Sequence, residues 1–246
     1  MDVRVRRGAV AMAIVTAGAL ATGGPASASR RECVSASHGH RVVAEDARGL
    51  VYRSGGRLVG CSYAGGRLTV LPGQGPETFT INARTMKGSA KIEHPTMSGR
   101  FVAYGSHWLP NHPSGGAFGP PQTERVYSFD LRAGAVKYVT TPNDTHLTSL
   151  NAIVVKPNGS VAWMYRTLCG AGLQPEPDNC TIVVKMDRST GGREHGLDSD
   201  GFGEHGERTY TIEPGSLGLS FHRRRIYWTA RKAGDPKVHH LSAPLD

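Results

Sequence analysis

Residues 153–165 constrain the fold more than any other stretch. An apolar run of Ile153, Val154 and Val155 meets Lys156-Pro157-Asn158-Gly159, and a second run follows in Val161, Ala162, Trp163, Met164 and Tyr165. Proline pre-sets φ for a turn and Asn-Gly tolerates the left-handed conformation that closes it, so the stretch specifies a β-hairpin. The pattern recurs: Gly99-Arg100-Phe101-Val102-Ala103-Tyr104, Gly159-Ser160-Val161-Ala162-Trp163-Met164 and Arg224-Arg225-Ile226-Tyr227-Trp228-Thr229 occupy equivalent places. Phe129-Asp130-Leu131-Arg132-Ala133-Gly134 likewise matches Met186-Asp187-Arg188-Ser189-Thr190-Gly191. A strand-turn-strand unit repeating at about 50 to 65 residues marks an all-β, β-propeller-like array of antiparallel meander blades.

Four units are legible. The first has strands at 42–44, 50–52, 57–63 and 67–71, broken by Gly55-Gly56 and Gly65-Gly66. A connection of low apolar content, 72–95, follows, with 79–81 a candidate strand. The second unit, 96–140, has strands at 100–104, 125–131 and 136–139; Phe101 and Ala103 alternate with Val102 and Tyr104 and so take opposite faces. The third has strands at 153–155, 161–165 and 181–186, the fourth at 217–221, 225–229 and 238–241. This leaves a propeller of four or five blades, or a divergent blade in 72–95. Helical periodicity over 12 residues is absent after residue 28.

The segment from Lys156 to Trp163 and the two Asp-x-x-x-Gly turns, Asp130 to Gly134 and Asp187 to Gly191, resemble the TolB-like and WD40-like β-propeller repeats of secreted bacterial proteins. In those repeats a Pro-Asp-Gly turn joins two blade strands and an Asp-Leu-x-Thr-Gly turn leads to the outermost one. Asn158 stands here in place of the aspartate, and the fourth unit lacks the Asp-Gly turn. The resemblance implies a fold without a substrate.

Arg4, Arg6 and Arg7, a small apolar run from Ala9 to Ala21, and Ala26-Ser27-Ala28 fit a signal peptide over 1–28. The domain reading is therefore a signal peptide (1–28), an N-terminal segment (29–40) and the β-domain (41–246), secreted or held at the cell envelope. The apolar run is too short for a transmembrane anchor. Four cysteines in an exported chain predict two disulfides. The local pair Cys169 and Cys180 brackets a loop with no core of its own, which leaves Cys33 for Cys61.

The formal net charge is +9, and the chain stays basic without residues 1–28, which hold three arginines and one aspartate. An anionic cell-envelope polymer or an extracellular protein is the expected partner, met by a monomer; a nucleic-acid reader motif is lacking. Nucleophile-elbow and zinc-protease signatures are also lacking. The candidate binding residues are His107, Trp108 and His112, in a Gly/Pro-rich loop where an exposed aromatic could stack on a ligand. Candidate metal ligands are His195, Asp198, Asp200 and His205, in a stretch alternating oxygen donors with glycine; no EF-hand fits, but calcium or a transition metal would suit such donors, although no cofactor is required. Trp163 and Trp228 occupy matching repeat positions and read as packing residues. The expected activity is non-enzymatic binding at the end where the loops 106–122 and 170–179 gather; the alternative is an exported, metal-assisted lyase or hydrolase acting on a glycan or small metabolite.

Overall fold

A computed structural model of the chain describes residues 25–81, 84–111, 123–140, 149–169, 178–202, 208–220 and 222–246. One helix, α1 (Pro25–Ser37), precedes four antiparallel sheets. Sheet one holds β1 (Arg41–Asp46), β2 (Gly49–Ser54), β3 (Arg57–Ser62) and β4 (Leu68–Val70) in chain order. Sheet two holds β5 (Gly75–Ile81), β6 (Arg84–Ser98), β7 (Phe101–Pro110), β8 (Thr123–Asp130) and β9 (Ala135–Val139), and sheet three β10 (Ser149–Val155), β11 (Val161–Cys169), β12 (Asp178–Met186) and β13 (His195–Ser199). In sheet four, β14 (Gly201–Phe202) pairs with β15 (Arg208–Ile212); β15 and β16 (Gly218–Leu219) share one edge of β17 (Arg225–Lys232), and β18 (Val238–Pro244) takes the other. The array is all-β and propeller-like, as the repeats require.

The hydrophobic cores lie between successive sheets. Phe101 and Ala103 of β7 face sheet three, with Val161 and Trp163, while Val102 and Tyr104 face sheet one, with Val51 and Leu58. Strand β11 repeats the arrangement: Ala162 and Met164 pack with Ile226 and Trp228 of sheet four. A second strand buried on both faces must be apolar throughout, which is why these strands read as unbroken runs. Trp163 and Trp228 are both buried, as their repeat positions predict.

Glycines let the sheets approach. Leu131 is buried over β2 and β3, where a Cβ at Gly60 would overlap its Cδ2 methyl, and a Cβ at Gly49 would lie 3.0 Å from Cδ1. Between sheets two and three, a Cβ at Gly105 would lie 2.7 Å from Leu150 Cδ2.

The connection 72–95 is a correction. Its residues form β5 and most of β6, a hairpin continuous with sheet two and not a separate blade. Gly, Pro, Thr, Lys and Glu dominate it, and the alternation of Met86, Gly88, Ala90 and Ile92 with Lys87, Ser89, Lys91 and Glu93 is weak because two of its apolar positions are Gly and Ala; the ladder to β7 holds it in place. Helix α1 was likewise illegible. Its buried face consists of Ser29, Cys33 and Ser37, small residues at helical spacing that carry no apolar stripe. Pro25 at the first position and the helix formers Ala26, Ala28, Arg30 and Arg31 suit it to a helix. Cys33 is disulfide-bonded to Cys61, as expected, and ties α1 to β3. Cys180 is also disulfide-bonded; the side chain of Cys169 lies outside the described residues.

Asp187 fastens Asp246, which follows sheet four, to sheet three. It is fully buried, and its Oδ1 accepts from Thr190 N at 3.0 Å and Ser189 Oγ at 2.6 Å. Its Oδ2 accepts from Lys185 Nζ and from Asp246 N, each at 3.0 Å. Burial alone would raise its pKa, but the hydrogen bonds from Ser189, Asp246, Lys185 and Thr190 outweigh it and hold the carboxyl at about 2.

Gly60→Val should lower stability by about 1 to 3 kcal/mol in chemical denaturation, because the Leu131 socket has no room for a side chain. Because the folded pKa of Asp187 is depressed, its stabilisation is full above its ordinary value of 3.8 and is lost as pH falls towards about 2. The urea midpoint should fall over that window, and fall less in Asp187→Asn, which begins from lower stability.

Candidate anion-binding site

In an up-and-down meander alternate connections share an end. The connections β1–β2, β3–β4, β6–β7, β8–β9, β10–β11, β12–β13 and β16–β17 therefore lie at one end, and the last residues of β7, β9 and β11 lie at the other. Contacts align the tight-turn end across sheets: Asp46 Oδ2 accepts from Gly99 N at 2.7 Å, and Pro157 lies against Gly99.

Three turns and α1 converge there. The Asp46 carboxylate also accepts from Ala47 N, which shapes the β1–β2 turn and leaves Arg48 exposed. Asp130 Oδ1 accepts from Arg132 N at 3.0 Å and Ala133 N at 3.1 Å, so the β8–β9 turn is an Asx turn that leaves Arg132 exposed. Arg100 leads out of the β6–β7 turn, its Nε 3.0 Å from Asp130 Oδ2. Ser29 Oγ donates to Tyr63 O, and with the Cys33–Cys61 bond this sets Arg30 over the Tyr63 ring, 5.3 Å from its centroid. The result is a cavity of about 450 Å³ lined by Arg30, Arg48, Arg100, Arg132, Ser62 and Tyr63.

The charges are unevenly balanced. Arg30 lies 3.7 Å from Glu45 in an exposed pair, which contributes little. Arg100 has Asp130, whereas Arg48 and Arg132 make no ion pair among the described residues. Tyr63 is buried, and its hydroxyl donates to Glu45 Oε1 at 2.6 Å. Burial first, then that hydrogen bond and the Glu45 charge, push its pKa up to about 12, so it stays a neutral donor near neutral pH. Guanidinium forks approaching from several directions suit an oxyanion with acceptors on several sides.

The residues singled out in the sequence lie elsewhere. His107 and Trp108 are not in a loop: residues 106–110 belong to β7, with Trp108 opposite Ala90 on one side and Thr123 on the other. Trp108 is 1% exposed, and its Nε1 donates to Glu77 O at 3.4 Å, so its ring is covered and cannot stack on a ligand. The missed strand β6 is the reason, since it supplies the partner that makes 106–110 a strand. His112 and His205 lie outside the described residues. His195 is exposed on β13, opposite Lys185. Asp198 Oδ2 accepts from Tyr210 OH at 2.8 Å and Trp228 Nε1 at 2.7 Å, and Asp200 accepts from Thr181 N at 3.0 Å and Ile212 N at 2.6 Å. These carboxylates fasten sheet three to sheet four. Among the described residues no three His, Cys, Asp or Glu side chains stand close enough to hold a metal.

Arg48, Arg100 and Arg132 stand singly in the sequence at or beside a turn, and Arg30 stands next to Arg31 on α1, so the four share no signal. No family model and no curated protein matches the chain. Among solved structures it is similar to the crystal structure of the tricorn protease, with a TM-score of 0.29 and 12% identity over 80% of this chain and 26% of that one. The chain thus spans about a quarter of that protein's length.

Trp108→Ala should cost about 3 to 5 kcal/mol in thermal or chemical unfolding, the loss expected of a buried packing residue and not of a ligand contact.

Proposed function

We propose that the chain is an exported, non-enzymatic binding module of the TolB-like or WD40-like repeat type, which holds an anionic component of the cell envelope through the arginine pocket. The observation that carries this reading is the convergence of Arg30, Arg48, Arg100 and Arg132 on one cavity, with Arg48 and Arg132 left without an ion pair among the described residues. The net charge of +9 favours the same partner by drawing it in over a distance.

Export is supported by the basic, apolar and small-residue succession over 1–28 and by the Cys33–Cys61 bond, which persists in oxidising compartments. No helix among the described residues is long and apolar enough to cross a membrane. The repeat affiliation is supported by the turn roles of Asp130 and Asp187, whose carboxylates accept from the backbone of the turns they open. The ligand end proposed is the tight-turn end, where the described pocket lies.

Pyrophosphate is a suitable small probe, having several acceptors on two centres. Arg48→Gln with Arg132→Gln should weaken its binding at least about tenfold in titration calorimetry while leaving the melting temperature unchanged, since both side chains are exposed and unpaired. Isolated cell envelope should retain the wild-type protein at low salt and release it at high salt. Unaltered pyrophosphate affinity in the double variant would overturn the site.

A further inference from the structure

The β1–β2, β6–β7, β10–β11 and β16–β17 turns meet at the tight-turn end, and they extend the positive charge beyond the pocket. Asp46 holds the turn carrying Arg48 against Gly99, which precedes Arg100. Arg223, in the β16–β17 turn of sheet four, donates from Nη1 to Ser98 Oγ on the other side of the same glycine. Arg224 follows it, exposed and without an ion pair among the described residues. A continuous path therefore runs from Arg132 and Arg48, past Arg100, to Arg223 and Arg224. The acidic side chains at the pocket are engaged: Asp46 with backbone amides, Asp130 with Arg100 and its own turn, and Glu45 with Tyr63 and Arg30, while the charge of Asp246 acts on Lys156 of sheet three. Lys156, the cation of the corresponding turn in sheet three, is turned to the Leu245 carbonyl and does not extend the path.

Backbone strain gives a second, independent observation. The corresponding turns of sheets two and three place glycine in the left-handed region, Gly99 at φ 64° and Gly159 at φ 87°. In sheet four Arg223 takes that conformation at φ 53°. A long side chain is disfavoured there, and strain kept at a residue where glycine would serve points to a use for the side chain.

We propose that the tight-turn end is a docking surface for a linear phosphate-bearing polymer, which enters the arginine pocket and runs across the inner turns to Arg223 and Arg224. This rests on the pocket reading above and extends it from a single oxyanion to a chain of them. Phosphate is favoured over carboxylate because the terminal phosphate of such a chain carries three unesterified oxygens, which offer acceptors to guanidiniums arriving from α1 and from separate turns at once, whereas a carboxylate presents its two oxygens in one plane. The occupant is a phosphate-terminated polyol phosphodiester, since the proposed partner is a component of the cell envelope; inorganic polyphosphate is an outcome of the test.

The test measures binding of pyrophosphate, of short and long polyphosphate, of poly(glycerol phosphate) and of polygalacturonate to the wild type, to Arg48→Gln/Arg132→Gln and to Arg223→Asn/Arg224→Gln. Asparagine tolerates the left-handed conformation, so the last variant should keep or raise the melting temperature. The expected result is an affinity that rises with chain length and weakens more steeply with salt for longer chains. Arg223→Asn/Arg224→Gln should lose about tenfold or more for long chains and nothing for pyrophosphate, while the pocket variant loses both. Poly(glycerol phosphate) should bind more tightly than polyphosphate of equal charge, and the reverse order would overturn the phosphodiester as occupant. Length-independent binding, or indifference of long chains to the Arg223 and Arg224 changes, would overturn the docking path while leaving the pocket intact. Failure of pyrophosphate to bind the wild type would overturn the pocket as well, and equal binding of polygalacturonate would overturn the assignment to phosphate.

Discussion

The buried carboxylate of Asp187 is the interaction on which the joint between sheets three and four depends. It shapes its own turn through Thr190 and Ser189, takes the Lys185 ammonium, and accepts the amide of Asp246 at the end of the chain. Sheet four is thereby fastened to sheet three through its last residues as well as through Ile226 and Trp228. Lys185 adds a bond to Pro244 O at 3.1 Å, and Lys156 and Ser160 reach the carbonyls of Leu245 and Asp246. A buried charge without such partners would be costly, so these bonds form as a set or not at all.

The same economy governs the tight-turn end. Aspartates that would otherwise cancel the local positive charge are drawn into the backbone: Asp46 by the amides of Ala47 and Gly99, Asp130 by those of Arg132 and Ala133. The turns become rigid, and their neighbouring arginines are left facing outward. Helix α1 adds Arg30 because the Cys33–Cys61 bond and the Ser29 hydroxyl hold it against β3 and Tyr63. Structure and candidate function thus share one set of turns.

Legibility followed burial. Strands buried on both faces, such as 101–104 and 161–164, announced themselves as apolar runs, and the alternation of Phe101 and Ala103 with Val102 and Tyr104 matched the two cores they enter. Strand β6 did so only faintly, because the face opposite Lys87, Ser89, Lys91 and Glu93 is Met86, Gly88, Ala90 and Ile92, and its Gly and Ala carry little apolar signal. That omission propagated, turning the strand that carries Trp108 into a supposed binding loop. Asp198 and Asp200 misled for a different reason: carboxylates alternating with glycine look alike in sequence whether they bind a cation or the amides and hydroxyls of a neighbouring strand.

The sequence by itself determined the fold class and the repeat, because turn chemistry and strand periodicity are local, and it made Cys33–Cys61 the economical one of three pairings that the structure then selects. The arginine pocket was decided by tertiary structure alone. Arg30, Arg48, Arg100 and Arg132 lie on a helix and three turns that only the stacking of sheet one on sheet two brings together, and a solitary arginine beside a turn carries no mark of the neighbours that folding will give it.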